Sequence, residues 1–290
     1  MMGKTAFVTG AASGIGLALV RALLERGMQV AAADIDEKAL AGAVNSLATG
    51  RDRLLPITLD VTDRAAYAAA RAAVTDQFGH IQLLCNNAGV GGSASIEAAG
   101  YSDWDWILGV NLGGVINGLV TFLPDLIAQG GGHIVNTASI TALVPQPGPI
   151  ALYSVSKQAI MTLSETLHWT LADKGIHVSV VCPGFVRTGI ASSEAKRPGK
   201  FASSAPRNLE MESRFDQFLQ QGLEPEAVAR QVLDAIDEPR LYVFTHPEFQ
   251  PVVRQRFQSL LDAMPSPEPV SVERQQAADA MLADLLARRA

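Results

Sequence analysis

Two kinds of hydrophobic patterning alternate along the chain. Runs that are apolar through most of their length recur at 5–8, 29–33, 54–59, 81–85, 133–136, 177–181 and 241–245. Between them, at 14–26, 36–47, 63–78, 103–128 and 152–173, apolar residues fall at helical spacing. A strand apolar throughout is buried on both faces, and helices spaced between such strands cover those faces. The pattern predicts an α/β fold with a doubly wound parallel sheet of about seven strands, the last at the sheet edge.

Interruptions refine this reading. Gly27 supplies a C-terminal stop for the first helix. Gly109, Gly113, Gly114 and Gly118 fall inside the 103–128 helix, where each glycine costs about 1 kcal/mol relative to alanine. Their presence predicts close approach of another helix or a ligand. Residues 188–223 are rich in Ser, Lys, Pro and Gly without periodicity, as lids often are. Residues 265–269 are Pro-rich, and 273–289 read as a terminal helix. No linker or internal repeat divides the chain, so 1–290 reads as a single domain with a lid at 188–223 and a C-terminal extension at 246–290.

Composition narrows the function classes. Hydrophobic residues are 48% and charged residues 18% of the 290, which excludes intrinsic disorder. The net charge of -6 gives no basic excess for nucleic acid. Two cysteines, Cys85 and Cys182, make no disulfide framework and fit a reducing compartment. No uninterrupted apolar run approaches the ~18 residues of a membrane span. Met1 to Lys4 lead straight into a strand, leaving no room for a signal peptide. The expectation is a cytoplasmic protein with no membrane partner.

The candidate chemistry begins at Thr9-Gly10-Ala11-Ala12-Ser13-Gly14-Ile15-Gly16, at the first strand-to-helix turn. Glycines there permit a tight turn and let backbone N–H groups approach a pyrophosphate, while the helix N-terminus favours the anion. Asp34 ends the second strand. A carboxylate at that position accepts ribose hydroxyls and repels a 2′-phosphate. No Arg or Lys stands at 33 or 35, and Lys38 falls in the following helix. The cofactor expected is NAD in preference to NADP. Further along, Tyr153 and Lys157 stand four apart on a helix, so both project from one face. An unperturbed tyrosine titrates near ~10; a neighbouring ammonium and the positive nicotinamide ring favour the phenolate and would make Tyr153 a base.

These motifs, with Asp60-Val61, Asn86-Asn87-Ala88-Gly89, Asn111, Ser139, and Pro183-Gly184 followed by Thr188, occur together between positions 5 and about 190. In that order they resemble the non-extended branch of the short-chain dehydrogenase/reductase family, whose fold is of Rossmann type. The resemblance implies Tyr153 as general acid/base, with Lys157 binding the nicotinamide ribose and lowering the tyrosine pKa. It implies Ser139 on the substrate oxygen and Asn111 holding a water in a proton relay. For the cofactor it implies Gly10, Ser13, Gly14, Ile15 and Gly16 at the pyrophosphate, Asp34 at the ribose, and Asp60 and Val61 at adenine. Asn87, Ala88 and Gly89 then support the cofactor, with Pro183, Gly184, Val186 and Thr188 flanking the carboxamide. The reaction implied interconverts an alcohol and a ketone or aldehyde by hydride transfer.

The remaining candidates are weaker. His80, His133, His168, His177 and His246 show no metal-ligand spacing, and no metal is expected. Cys85 and Cys182 read as buried thiols, and Tyr101, Trp104 and Trp106 as packing groups. Val90, Ile140, Val144, Ile150 and Phe185, adjacent in sequence to the catalytic set, are the expected substrate walls. They favour a bulky hydrophobic secondary alcohol. Asp105-Trp106-Ile107, Val110-Asn111-Leu112, Gly114 to Gly118 and Gly222 to Glu226 are also similar to the Cα-dehydrogenases of lignin β-aryl ether dimers. This points to an aryl or benzylic alcohol. A hydroxysteroid or terpenoid alcohol is the alternative, and a non-catalytic NAD-sensing protein is the alternative of another class. The family resemblance further implies a homodimer or homotetramer built on the helices at 103–128 and 152–173.

Overall fold

The computed structural model describes residues 2–92, 94–203, 209–265 and 270–287. Residues 204–208 of the expected lid, 266–269 of the Pro-rich stretch and 288–289 of the expected terminal helix lie outside the described residues. The chain forms two compact units, Met1–Pro247 and Glu248–Ala290.

The first unit opens with β1 (Thr5–Thr9), α1 (Gly14–Glu25), β2 (Gln29–Asp34), α2 (Glu37–Ser46), β3 (Leu54–Thr58), α3 (Arg64–Phe78) and β4 (Leu83–Asn86). It continues with α4 (Tyr101–Leu108), α5 (Gly114–Ala128), β5 (Gly132–Thr137), α6 (Ala151–Leu171) and β6 (Ile176–Cys182). It ends with α7 (Leu209–Leu219), α8 (Pro225–Asp237) and β7 (Tyr242–Phe244). All seven strands are parallel, in the order β3-β2-β1-β4-β5-β6-β7. The sheet is doubly wound as the patterning predicts. Parallel strands need helical crossovers, and those crossovers bury both faces. On one face Leu19 and Leu23 of α1 and Val228 and Val232 of α8 pack over Val8 and Val30. On the other, Tyr67 and Val74 of α3, Phe122 of α5 and Ile160 of α6 pack over Phe7 and Leu84. The order reverses between β1 and β4, so a crevice opens at the C-terminal strand ends there.

Four elements differ from the sequence reading, one of them a helix at Gln250–Asp262 that it did not contain. The 103–128 helix is interrupted by a π-turn, Gly109–Gly113, between α4 and α5. The lid segment contains α7 and is followed by α8, both helices absent from the reading. Helix α8 carries Pro225 in its first turn, where proline is tolerated because the N–H is unpaired anyway. The 28 residues Tyr101–Ala128 also include an 18-residue stretch of mean hydropathy 1.6, long and apolar enough to cross a membrane, which the sequence reading missed. In this fold Val115, Leu119, Phe122 and Leu126 of that helix lie in the core.

The helix glycines have a packing reason. A Cβ on Gly114 would lie 2.8 Å from Val61 Cγ2, and one on Gly118 would collide with Asn86 Oδ1. Gly114 also offers its carbonyl to the Tyr67 hydroxyl at 3.1 Å. Asn86 in turn donates to Asn136 (2.9 Å), and Asn136 to Ser164 (3.0 Å). This buried polar ladder joins β4, β5 and α6 beneath α5. In the second unit, α9 (Gln250–Asp262) and α10 (Val272–Ala287) expose apolar side chains that include Phe257, Leu260 and Leu261 on α9 and Met281 and Leu282 on α10.

Replacing Gly118 with valine is expected to destabilise the protein by about 1–3 kcal/mol through overpacking against the Asn86 amide. A urea denaturation series comparing Gly118→Val with wild type measures it.

Candidate active site

The β1–α1 turn is built by close approach. Gly10 and Gly14 have φ of +67° and +51°, the left-handed region where glycine carries no Cβ penalty. A Cβ on Gly16 would collide with the Gly10 carbonyl, and one on Gly10 would sit 2.9 Å from Ala88 Cα. The turn is therefore pressed against the end of β4. Thr9 fastens it: its hydroxyl accepts the N–H groups of Asn87 and Ala88, both at 3.0 Å. Asn87 Nδ2 donates back to the Thr9 carbonyl at 3.0 Å. Ser13, at the N-terminus of α1, makes no side-chain cap, so the first helical N–H groups face the crevice uncapped.

Asp34 is an organised carboxylate rather than a loosely solvated strand end. Its Oδ2 accepts the Ala12 N–H and its Oδ1 the Asp36 N–H, each at 3.0 Å. Asp60 accepts from the Thr62 N–H (2.9 Å), the Thr62 hydroxyl (2.7 Å) and Lys200 Nζ (2.8 Å). Burial pushes the Asp60 carboxyl up, but the bonds from Lys200 and Thr62 outweigh it and hold the group below its ordinary range. Lys196 approaches Asp36 Oδ2 at 3.4 Å. Two lid cations thus lie over this end of the crevice. The search for cations at 33 and 35 could not have found them.

Tyr153 and Lys157 stand one turn apart on α6. Lys157, 2% exposed, donates to the Thr137 carbonyl at the end of β5 (2.8 Å), with its Nζ 5.5 Å from the Tyr153 ring centre. The Ser139 hydroxyl is hydrogen-bonded to the Tyr153 phenol and accepts the Thr141 N–H at 3.2 Å. The electrostatics differ from the sequence expectation. Burial, the largest effect, pushes the Tyr153 phenol up to about 12 although the Ser139 bond pulls it down. Burial also drives Lys157 down to about 8. In the protein alone, Lys157 does not draw the tyrosine toward neutrality. Cys182, beside both, is pushed up to about 12 by burial and stays a thiol, as does buried Cys85, also near 12.

Tyr153, Lys157 and Ser139 line the same cavity of about 420 Å³ as Gly10, Ser13, Ile15, Asp34, Asp60, Val61, Asn87, Ala88, Gly89, Pro183, Gly184, Val186 and Thr188. Gly14 and Gly16 lie behind its wall, acting through the shape of the turn. Asn111 is also behind it, fully buried in the π-turn. Its Oδ1 accepts the Val90 N–H (2.8 Å), and its Nδ2 donates to the Val90 carbonyl and to Ser156 Oγ (both 3.0 Å).

Of the five expected substrate walls, Val90 lines the cavity. Ile140 is buried in the turn after β5. Val144 and Ile150 belong to the segment between that turn and α6. Phe185 packs edge-on against Phe218, ring centres 4.2 Å apart. The apolar walls are Trp106, Val110, Ile190, Phe201 and Leu219, contributed by α4, the π-turn, the lid and α7. Trp106 had read as packing only; it is 1% exposed and does both.

His246 is a further residue that spacing could not single out. Its Nδ1 accepts the Gly184 N–H (3.0 Å), and its Nε2 lies 2.9 Å from the Phe185 carbonyl, which fixes the Pro183-Gly184 turn. A parallel bridge between Val186 and Leu223 closes the base of the lid. Among the described residues, no group of three or more His, Cys, Asp or Glu has metal-binding placement.

Comparison with known proteins agrees with this geometry. The family model described as short chain dehydrogenase matches residues 4–199. A Cα-dehydrogenase from Sphingobium sp. strain SYK-6 is 36% identical over 285 residues, covering 97% of this chain and 92% of that protein. A dehydrogenase/reductase of CLA biosynthesis from Lactiplantibacillus plantarum is 32% identical, covering 89% of this chain and 93% of its own length. The crystal structure of a short chain dehydrogenase/reductase from Burkholderia phymatum in complex with NAD is similar at a TM-score of 0.86 and 36% identity, covering 93% of this chain and 99% of that one.

Lys157 sets a stability signature. Its folded pKa of about 8 lies below the ordinary 10.5, so between those values the unfolded chain holds more protons and stability rises with pH. Below pH 8 both states are charged and burying the ammonium costs about 3 kcal/mol. The urea midpoint of wild type relative to Lys157→Met is therefore expected to climb from pH 8 to pH 10. A flat difference across that range would contradict the burial argument.

Proposed function

This chain belongs to the short-chain dehydrogenase/reductase family of oxidoreductases acting on alcohols, and from that premise we propose that it interconverts a secondary alcohol and a ketone with NAD. The observation that carries the reading is the convergence of Ser139, Tyr153 and Lys157 on the cavity that the glycine turn opens into. A dinucleotide fits what is present. Gly10 lines the cavity, its left-handed backbone and that of Gly14 shape the turn, and uncapped N–H groups of α1 suit a pyrophosphate. Asp34, whose carboxylate is aligned by two backbone N–H groups, suits the adenosine ribose hydroxyls and opposes a 2′-phosphate. Asp60 and Val61 would flank the adenine, and Asn87 to Gly89 the ribose nearest the reaction. Pro183, Gly184, Val186 and Thr188 would flank the carboxamide. The NAD in the Burkholderia structure supports the same choice.

NAD supplies, when bound, a hydride acceptor and a positive ring. The side chains do the rest. Ser139 holds the substrate oxygen and steadies the charge that grows on it. Tyr153 takes the hydroxyl proton during oxidation and returns it during reduction. Lys157, tethered to the Thr137 carbonyl, keeps an ammonium beneath the phenol and binds the nearby ribose. Asn111 secures Val90 and Ser156 behind the site.

The substrate proposed is a bulky hydrophobic alcohol, an aryl or benzylic alcohol such as a lignin-derived dimer. Trp106, Phe201, Val110 and Leu219 supply apolar and aromatic walls, and the similarity to the Sphingobium Cα-dehydrogenase supports the class. Residues 188–223 serve as the lid and 246–290 as an appendage of one catalytic domain. The protein acts in the cytoplasm, with both thiols reduced. It assembles as a homodimer or homotetramer through α5 and α6, where Ile116, Val120 and Val155 are exposed.

Tyr153→Phe is expected to lower turnover by about 10²–10⁴-fold, while NADH binding, followed by fluorescence titration, is retained. Unchanged turnover would reject the mechanism. NADH formation across benzylic alcohols including β-aryl ether dimers, hydroxysteroids, terpenoid alcohols and polyols is expected to be strongest on the aryl substrates and with NAD⁺. Activity confined to polyols would reject the apolar pocket, and a preference for NADP⁺ would reject the role of Asp34.

A further inference from the structure

A charged cluster is buried behind the cavity wall. Arg197, in the lid, has a side chain 5% exposed; its partners Asp103 of α4 and Glu194 of the lid are 3% and 8% exposed. The Arg197 Nη1 reaches Asp103 Oδ1 at 2.7 Å and Glu194 Oε2 at 3.3 Å. The guanidinium carbon lies 4.6 Å from the ring centre of Trp106. Asp103 is itself fixed, its Oδ2 accepting the Gly100 N–H at 2.8 Å at the start of α4. Taking three charges out of water is unfavourable unless geometry compensates. Compensation here is one-sided, because Arg197 Nε and Nη2 have no hydrogen-bond partner among the described residues. A lid that only had to cover the cavity needs none of this. Among the described residues the other lid cations lie at the surface, with Lys196 64%, Lys200 51% and Arg214 77% exposed.

The cluster sits where it can shape the pocket. Trp106, Ser193, Lys196, Pro198 and Phe201 all line the cavity. Arg197 itself stands behind them, between Lys196 and Pro198 in sequence and against Trp106 in space. We propose that Arg197 is a positioning residue for substrate selection: paired with Asp103, it pins the lid to α4 and, through its planar face, holds the Trp106 ring in the wall. This rests on reading the cavity as the alcohol site and adds to it which group sets the far wall. The Asp103 pair supplies the anchor; the stacked plane supplies the alignment. Only the first survives if the guanidinium becomes an ammonium, since a lysine keeps a charge but has no plane to lay on an indole.

Arg197→Lys separates the two roles. With a β-aryl ether dimer, KM is expected to rise roughly tenfold, the size of a lost cation–π contact, while kcat and the KM for NAD⁺ hold. With 1-phenylethanol, too short to reach the far wall, KM is expected to hold as well. Tryptic cleavage after Lys200, measured with NAD⁺ present, is expected to hold, because the Asp103 anchor survives. Asp103→Asn keeps an acceptor for the Gly100 N–H but removes the ion pair; it is expected to give the same KM split and faster cleavage, and it decides the matter should Arg197→Lys not fold. A lowered melting temperature with the ratio of the two KM values unchanged would assign the cluster a purely structural role and overturn the proposal. Wild type inactive on both alcohols would count against the alcohol reading alone. Cleavage then decides, with an unaltered rate in Asp103→Asn overturning the pin.

Discussion

The arrangement depends on keeping one ammonium out of water. Lys157 is almost wholly buried, and the acceptor that makes this tolerable is the Thr137 carbonyl, the last of β5. That carbonyl stays in place because β5 is flanked by parallel β4 and β6 and pinned below by the Asn86-Asn136-Ser164 ladder. Parallel sheets leave backbone groups free at their strand ends, and the crossover helices bring side chains to the same edge. The lysine takes up one of those groups. Ser139 follows two residues later, and Tyr153 lies one helical turn before the lysine. The site is thus an extension of the sheet's own hydrogen bonding.

Features enforced locally were legible in the sequence. The glycine turn, the strand runs and the Tyr-Lys spacing each answer to constraints within a few residues, and the family resemblance tied them together. Of the four helix glycines, Gly114 and Gly118 stand where β-carbon atoms have no room, crowded by Val61 and Asn86 rather than by the helix or ligand expected, while Gly109 and Gly113 meet nothing closer than 3.5 Å. Other features depend on partners distant in the chain. Asp103 and Arg197 are 94 residues apart, and no local pattern marks them as a pair. The substrate walls were chosen by adjacency to Ser139 and Tyr153, whereas Trp106, Ile190, Phe201 and Leu219, which line the cavity, stand far from both in the chain. Helix α8 carried its own signals, Pro225 at the start and Val228, Val232 and Leu233 on one face, which the reading passed over.

The tyrosine shows the limit of arguing from a neighbour's charge. Proximity to Lys157 suggested a lowered pKa, yet the pocket that brings the two together also strips both of water. Desolvation acts against either charge, moving phenol and ammonium in opposite directions. The same dry wall keeps the phenol protonated in the protein alone. On the role proposed for Tyr153, the positive ring of a bound cofactor would favour the phenolate.

The π-turn between α4 and α5 has a consequence for how this helix is counted. Successive residues of an α-helix are about 100° apart around the axis, and a π-turn takes up one residue more than an α-turn. Everything after Gly113 is therefore rotated by about that angle from where an unbroken helix would carry it. Asp103 and Trp106 look toward the lid, whereas Gly114 and Gly118 press on the sheet. The two faces are phased by a single supernumerary residue. A relative lacking it would keep the same letters in the same order and present a different wall, so along this helix likeness of sequence and likeness of pocket part company at one position.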